Sequence, residues 1–235
     1  MVPFVIADGR PSRIPFWAAV ATAGVLVGLY LNYAAIRRGP ISLVAPVISL
    51  EGAVAAGISV IAGEHLAALA ALGIVTCVGG MLIVLLSTNE RESGAEHPHI
   101  ALALAFGAAC AFGLLLFASN RASSSMSASW LQMLFRLGPL VCVALPMIVA
   151  RRLELPRTVF WFILGSSTLQ FVGFRLFLAS SHHIGVAATA VVTAQFSVVA
   201  LLGGVLSLQE RLSRRQIVGL AVLLVGVAVV AGAQG

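Results

Sequence analysis

"GEHLAALAALGIVTCVGG" (Gly63 to Gly80) and "QERLSRRQIVGLAVLLVG" (Gln209 to Gly226) decide the architecture, because the second stretch repeats the first 146 residues later, at 209 as against 63. In that one register Gly39 meets Gly185, Gly57 meets Gly203, Glu64 meets Glu210, Leu66 meets Leu212, Gly73 meets Gly219 and Gly80 meets Gly226. A long internal repeat of this kind points to a structural unit used twice.

The chemistry of the chain says which solvent that unit faces. Of 235 residues, 60% are hydrophobic and 9% charged, against roughly a quarter charged in water-soluble domains. Such an inventory cannot cover a water-facing surface, so the chain belongs in a bilayer. The formal charge of +6 rests on arginine alone, since lysine is absent, and most arginines fall between apolar runs. That placement suits headgroups and topology and gives no reason to expect a nucleic acid partner. Cys77, Cys110 and Cys142 all lie inside apolar runs without a CxxC pair and read as small core fillers.

Eight apolar segments follow one another: 14–36, 41–62, 66–86, 100–119, 130–150, 159–180, 186–206 and 216–233. Most approach the ~20 residues a helix needs to cross the hydrocarbon core. The longest polar joint, "STNERESGAEHPH" (Ser87 to His99), divides the chain, giving a first unit over 1–88, a linker over 89–99 and a second unit over 100–235. The repeat register makes segments one to three recur as six to eight. Five segments separate the start of the first copy from the start of the second, an odd number, so the copies enter the membrane in opposite directions. This is the inverted repeat of secondary transporters, which places a substrate near the midplane between the halves.

These marks carry a family resemblance. "AGEHL" and "LGIVTCVGG" in the first half, and "LQERLSRRQIVGLAVLLVGV" in the second, resemble the closing corners and "GxxLxxxGV" helices of the EamA-like branch of the drug/metabolite transporter superfamily. The resemblance implies two five-helix repeats. The second half has five segments and the first only three, so the expected fold is an all-α integral membrane protein of eight transmembrane helices, an inverted-repeat bundle of the ten-helix type lacking its first two helices. By the register, Met147 corresponds to Met1, which puts the start of this sequence near the end of a missing second helix; either the start is truncated or misassigned, with about 60 further residues expected upstream, or the chain is a natural eight-helix variant. "SLEGAVAA" (Ser49 to Ala56) also resembles a "SLEPAVAA" stretch of amino-acid exporters, with Gly52 in place of the proline.

Glu51 lies about ten residues from either end of the second segment. A carboxylate at that depth costs ~2.5–3.5 kcal/mol on insertion scales and is tolerated mainly facing a bundle interior or cavity, where it marks a site by default. Ala45, Ser49, Gly52, Ala56 and Ser59 form a small-residue stripe beside it that lets another helix approach. The competing reading is a protonated carboxyl serving packing. In the repeat register Ser49 corresponds to Gln195 and Glu51 to Ser197, so segments two and seven are expected to face one volume. Thr193, Tyr30 and Asn32 add neutral hydrogen-bonding groups. Arg136 stands where the resemblance places an arginine, and it either pairs with an anionic group or reaches the interface; Arg175, five residues from its segment end, reads as snorkelling or as a second basic contact. Glu64 and Glu210 stand at corners between the last two helices of their repeats and read as structural caps. His65, His97, His99, His182 and His183 sit at membrane edges without a fixed-spacing partner, so neither a metal nor a catalytic set is expected.

The functional expectation is a secondary transporter exporting a small polar metabolite, an amino acid or drug-like compound, through the bacterial inner membrane by alternating access, with proton exchange at Glu51 as a coupling route. No cofactor is expected, and no phosphate-binding GxxxxGK[ST] loop occurs. The partners expected are the substrate and the lipid bilayer, with room for a homodimer. The alternative is a non-transporting membrane scaffold or a membrane-embedded enzyme. The two guides to orientation conflict. Arg37, Arg38, Arg91, Arg151, Arg152, Arg157, Arg211, Arg214 and Arg215 share the side opposite the termini, which the positive-inside rule makes cytoplasmic, whereas the family resemblance implies cytoplasmic termini.

Overall fold

A computed structural model describes residues 14–39, 41–64, 68–86, 98–144, 157–185, 189, 193 and 214–232. All the described elements are helical: α1 (Phe16–Ile36), α2 (Ile41–Ile48), α3 (Glu51–Ile61), α4 (Ala68–Leu86), α5 (Pro98–Ser123), α6 (Ala128–Pro139) continued by a π-helical turn (Leu140–Ala144), α7 (Arg157–Ile184) and α8 (Arg214–Gly232). Among the described residues three helices are long and apolar enough to cross a membrane: Phe16–Ile36, His99–Ser123 and Trp161–Ile184. Side chains such as Tyr30, Phe162 and Leu169 stand uncovered by protein, as lipid-facing residues do when the solvent is hydrocarbon.

The centre of the described bundle is the pair α1 and α5, and small residues bring it together. Ala18, Ala21, Gly24, Gly28 and Ala35 of α1 are buried, as are Ala101, Ala105, Ala108 and Ala109 of α5. Without a hydrophobic drive between helices in lipid, close backbone approach and dispersion supply the association. A Cβ on Gly24 would lie 2.9 Å from the Ala111 carbonyl oxygen, one on Gly107 would lie 3.1 Å from Leu31 Cδ1, and Trp17 packs edge-on to Phe117 at 5.8 Å. As numbers rise along α1 they fall along α5, so the pair is antiparallel. α2 and α3 lie on the same α5: Val44, Val47 and Ile48 share a core cluster with Ala105 and Ala108, and Ala55 shares another with Leu116. There the numbers rise together, so these helices run parallel to α5.

The stretch expected as one helix over 41–62 is two. Leu50 donates to the Val47 carbonyl, a tightened i−3 bond, and Ser49 with Leu50 forms a turn before α3 begins at Glu51. Pro46 has already removed one N–H from the ladder a turn earlier. α3 ends in a Schellman motif: Gly63 takes φ +95°, Glu64 N–H reaches the Ser59 carbonyl at 3.0 Å and Gly63 N–H the Val60 carbonyl.

α6 begins and ends by local chemistry too. Ser127 is its N-cap, with Oγ accepting from Trp130 N–H, and Met126 before it shares a buried cluster with Leu131, the staple that fixes the entry angle. Pro139 cannot donate to the ladder, and the helix widens to the π form directly after it. Ser127→Ala is expected to cost about 1 kcal/mol, seen as a lower melting temperature in detergent; an unaltered melting curve would show the cap to be redundant.

α4 and α8, which carry the two copies of the internal repeat, pack on each other. A Cβ on Gly226 would lie 2.7 Å from the Cys77 backbone nitrogen and 2.9 Å from the Gly73 carbonyl oxygen. Gly73, Cys77 and Gly80 are buried on one helix, Gly219 and Gly226 on the other. The repeated glycines are therefore contact residues.

Candidate functional site

Glu51 opens α3 at the break in the second apolar segment, half-buried and flanking the face formed by Gly52, Ala55, Ala56 and Ser59. The small-residue stripe read from the sequence is that buried face, with Ser49 4% and Ser59 1% exposed. The backbone at Glu51 rests on α5: a Cβ on Gly113 would lie 2.8 Å from the Glu51 carbonyl oxygen and 2.7 Å from Val54 Cβ. Gly113 lies near the middle of α5. The break thus sits at mid-depth, with the carboxylate on the positive end of a short helix.

The two arginines are engaged elsewhere. Arg136 Nη2 donates to the Ser167 carbonyl at 2.8 Å, and Arg175 Nη1 donates to Ser129 Oγ at 3.1 Å while its guanidinium lies 5.7 Å from the centre of the Phe171 ring. Between them Gln132 Nε2 donates to the Phe171 carbonyl at 2.9 Å. Ser129, Gln132 and Arg136 lie along one face of α6, and Ser167, Phe171 and Arg175 along one face of α7. Together they form a polar seam joining two antiparallel helices. Sequence reasoning named Arg136 and Arg175 but missed Gln132, Ser129 and Ser167; the signal available was the i, i+3, i+7 spacing of 129, 132 and 136. Arg136→Ala is expected to cost about 1.5–3 kcal/mol through loss of a charge-assisted hydrogen bond. Arg136→Lys, which lacks the planar fork, is expected to recover only part of it. A variant with normal melting behaviour and a weakened substrate KM would move Arg136 from the seam to the site.

The remaining named residues divide. Tyr30 is 74% exposed, on the outside of α1 among the described residues. Asn32 is half-buried, and among the described residues its Oδ1, Ser59 Oγ and Gln132 Oε1 are buried atoms without a hydrogen-bond partner. Thr193 donates its hydroxyl to the Thr189 carbonyl at 2.8 Å. Gln195, Ser197 and Glu210 lie outside the described residues, so their expected meeting with Glu51 is not placed. Glu64 packs its carboxylate against Gly185, whose φ is +84° and whose carbonyl accepts from both the N–H and the hydroxyl of Thr189. The corner residue of one repeat therefore touches the corner glycine of the other, a partner the sequence did not name. His182, read as an edge residue, meets Ser123 Oγ at 3.1 Å.

With this geometry in hand, the comparisons are specific. The EamA-like transporter family matches residues 99–232, more than half of the chain. The chain belongs to the EamA-like transporter family. That family lies within the drug/metabolite transporter superfamily. A solved structure, titled only as the crystal structure of a protein, superposes with a TM-score of 0.66 at 17% sequence identity, covering 98% of this chain and 82% of its own. At that identity the likeness is one of fold. No curated protein matches the sequence. Membership of an EamA-like family, with long apolar helices uncovered by protein, makes the chain a multi-pass membrane protein of a transporter family.

Proposed function

We propose that this EamA-like chain is a secondary transporter that exports a small polar metabolite, an amino acid or drug-like compound, across the bacterial inner membrane by alternating access, with proton exchange at Glu51 coupling the two. The architecture proposed is the inverted-repeat bundle, with eight transmembrane helices in this chain. The observation that carries the reading is the mid-depth break that opens α3 at Glu51. Broken helices in secondary transporters bring helix ends and unpaired backbone groups to a substrate at the midplane, and irregular backbone at that depth is tolerated where it is enclosed by protein or lines a cavity.

The free hydrogen-bonding capacity supports an amine-bearing substrate. Asn32 Oδ1 and Gln132 Oε1 are buried acceptors, Ser59 adds a hydroxyl and Glu51 a carboxylate, whereas Arg136 and Arg175 already hold helix to helix. An unpaired buried polar atom costs ~1–3 kcal/mol, which a transient ligand carrying N–H donors offsets. Glu51 is the proposed central contact, with Asn32, Thr193, Gln195 and Ser197 proposed beside it; Tyr30, on the outside of α1, and the helix-bridging Arg136 and Arg175 are left out of the set. Purified protein in liposomes, assayed for counterflow of a mixture of radiolabelled amino acids, tests the reading. Counterflow above that of empty vesicles is the expected result, and a rate no different from empty vesicles would remove amino acids as the cargo.

A further inference from the structure

We propose that the end of the bundle where α1 begins and α5 finishes carries a binding site for an anionic phospholipid, formed by Arg121, Phe117 and Trp17. The site faces the membrane and is independent of the transport reading.

Its residues converge from two helices. α1 starts at Phe16 and α5 ends at Ser123, and the pair is antiparallel, so Trp17 and Arg121 meet at one end. Trp17 packs edge-on to Phe117 at 5.8 Å, and Phe16 packs edge-on to Trp17 at 5.5 Å. Arg121 follows Phe117 by four residues, which puts it on the same face of α5 one turn nearer the helix end. Its guanidinium carbon lies 5.3 Å from the centre of the Phe117 ring, within reach of a cation–π attraction. Phe117 is buried, whereas Trp17 and Arg121 are exposed. The ring is a platform between an indole and a cation that both face outward.

A guanidinium in the last turn of a helix ordinarily finds acceptors in the terminal carbonyls. Here serine hydroxyls already serve those carbonyls. Ser123 Oγ donates to the Asn120 carbonyl at 2.6 Å, Ser124 Oγ to the Arg121 carbonyl at 2.9 Å and Ser125 Oγ to the Ala122 carbonyl at 3.2 Å. Among the described residues no carboxylate and no hydrogen-bond acceptor lies against the Arg121 guanidinium. What remains is a planar cation with five N–H donors, steadied on a ring, and that group matches the oxygens of a phosphate two at a time.

Depth selects a lipid phosphate. The apolar span His99–Ser123 has 25 residues, more than the ~20 that cross the hydrocarbon core, so Arg121 stands at headgroup level. Trp17, in the first turn of α1, stands at the same level, where an indole keeps its apolar body toward the acyl chains. A phosphate on Arg121 therefore brings the lipid's acyl chains against Trp17 and the exposed Phe16. A cation with no acid beside it favours a headgroup of net negative charge over a choline headgroup, whose ammonium would add a second positive charge.

Tryptophan quenching tests the site. Trp130→Phe with Trp161→Phe leaves Trp17 as the reporter, in vesicles of phosphatidylcholine where the same minor fraction of lipid is brominated on its acyl chains. The bromine is carried either by phosphatidylglycerol or by phosphatidylcholine. Brominated phosphatidylglycerol is expected to quench Trp17 as though enriched about fivefold beside it. Arg121→Gln is expected to abolish that preference, and Arg121→Lys, which keeps the charge without the planar fork, to retain part of it. Equal quenching by the two lipids in the parent, or a preference unchanged in Arg121→Gln, overturns the site. Protein with all three tryptophans gives a second readout that needs no phenylalanine substitution. In detergent, added phosphatidylglycerol is expected to raise the melting temperature of the parent more than phosphatidylcholine does, and the difference to vanish in Arg121→Gln; equal rises with both lipids, or a difference that survives the substitution, also overturn it.

Discussion

Gly113→Ala is expected to be among the most damaging single-methyl additions in the protein. The new Cβ would lie 2.7 Å from both Cβ and Cγ1 of Val54 and 2.8 Å from the Glu51 carbonyl oxygen. Val54 is β-branched and stiff at χ1, and the carbonyl is backbone, so neither yields cheaply. Overpacking of this kind costs ~1–3 kcal/mol, and the ~1 kcal/mol that alanine gains over glycine in a helix offsets only part of it. Gly165→Ala and Gly173→Ala on α7 supply the control, because a Cβ at either meets no atom within 4 Å. Those two are expected to be neutral or mildly stabilising. Melting in detergent, followed by the fraction that survives heating as a monodisperse peak, compares all three. Should Gly113→Ala melt with the α7 variants, α3 does not rest on α5 as described.

The same glycine shows where sequence reading succeeded and where it stopped. Apolar run length located α1, α5 and α7 to within a few residues, because the bilayer imposes a length and the composition of a run reports it. The repeated glycines Gly73, Gly80, Gly219 and Gly226 were legible as a register, and all four are buried where α4 and α8 sit. Hydropathy counts apolar side chains and is blind to the hydrogen-bond ladder, so it ran straight through Ser49 and Leu50, where the ladder tightens and the helix restarts. It was also blind to the partner across a contact. Arg136 and Arg175 drew attention as charges in apolar surroundings, but which helix faces them is a tertiary fact. Their bonds to Ser167 and Ser129 depend on α7 lying antiparallel to α6. Glu64 and Gly185 were each picked out by the repeat, and only the fold brings one onto the other.

Glu51→Gln is expected to abolish or uncouple export while the protein still folds and inserts. The substitution keeps the size of the side chain and removes only the negative charge and the capacity to release a proton. The two readings of this residue part at that point. If the carboxyl serves packing alone, an amide in its place hydrogen-bonds as well or better at this depth, and transport in Glu51→Gln should match the parent at every pH. If the carboxyl binds an amine-bearing substrate and exchanges a proton as the bundle alternates, the amide can do neither; counterflow should fall by at least an order of magnitude, the size of effect that loss of ~1.4 kcal/mol or more of binding produces, and residual flux should lose its dependence on the proton gradient. Glu51→Asp keeps the charge and shortens the reach by one methylene, so partial activity with proton dependence intact is expected there. The position of Glu51 makes the result interpretable: the backbone beneath it is fixed against Gly113 of α5, so a change confined to the carboxyl group leaves the α3–α5 contact in place. Melting behaviour equal to the parent's, together with lost counterflow, is the outcome that assigns the carboxylate to transport.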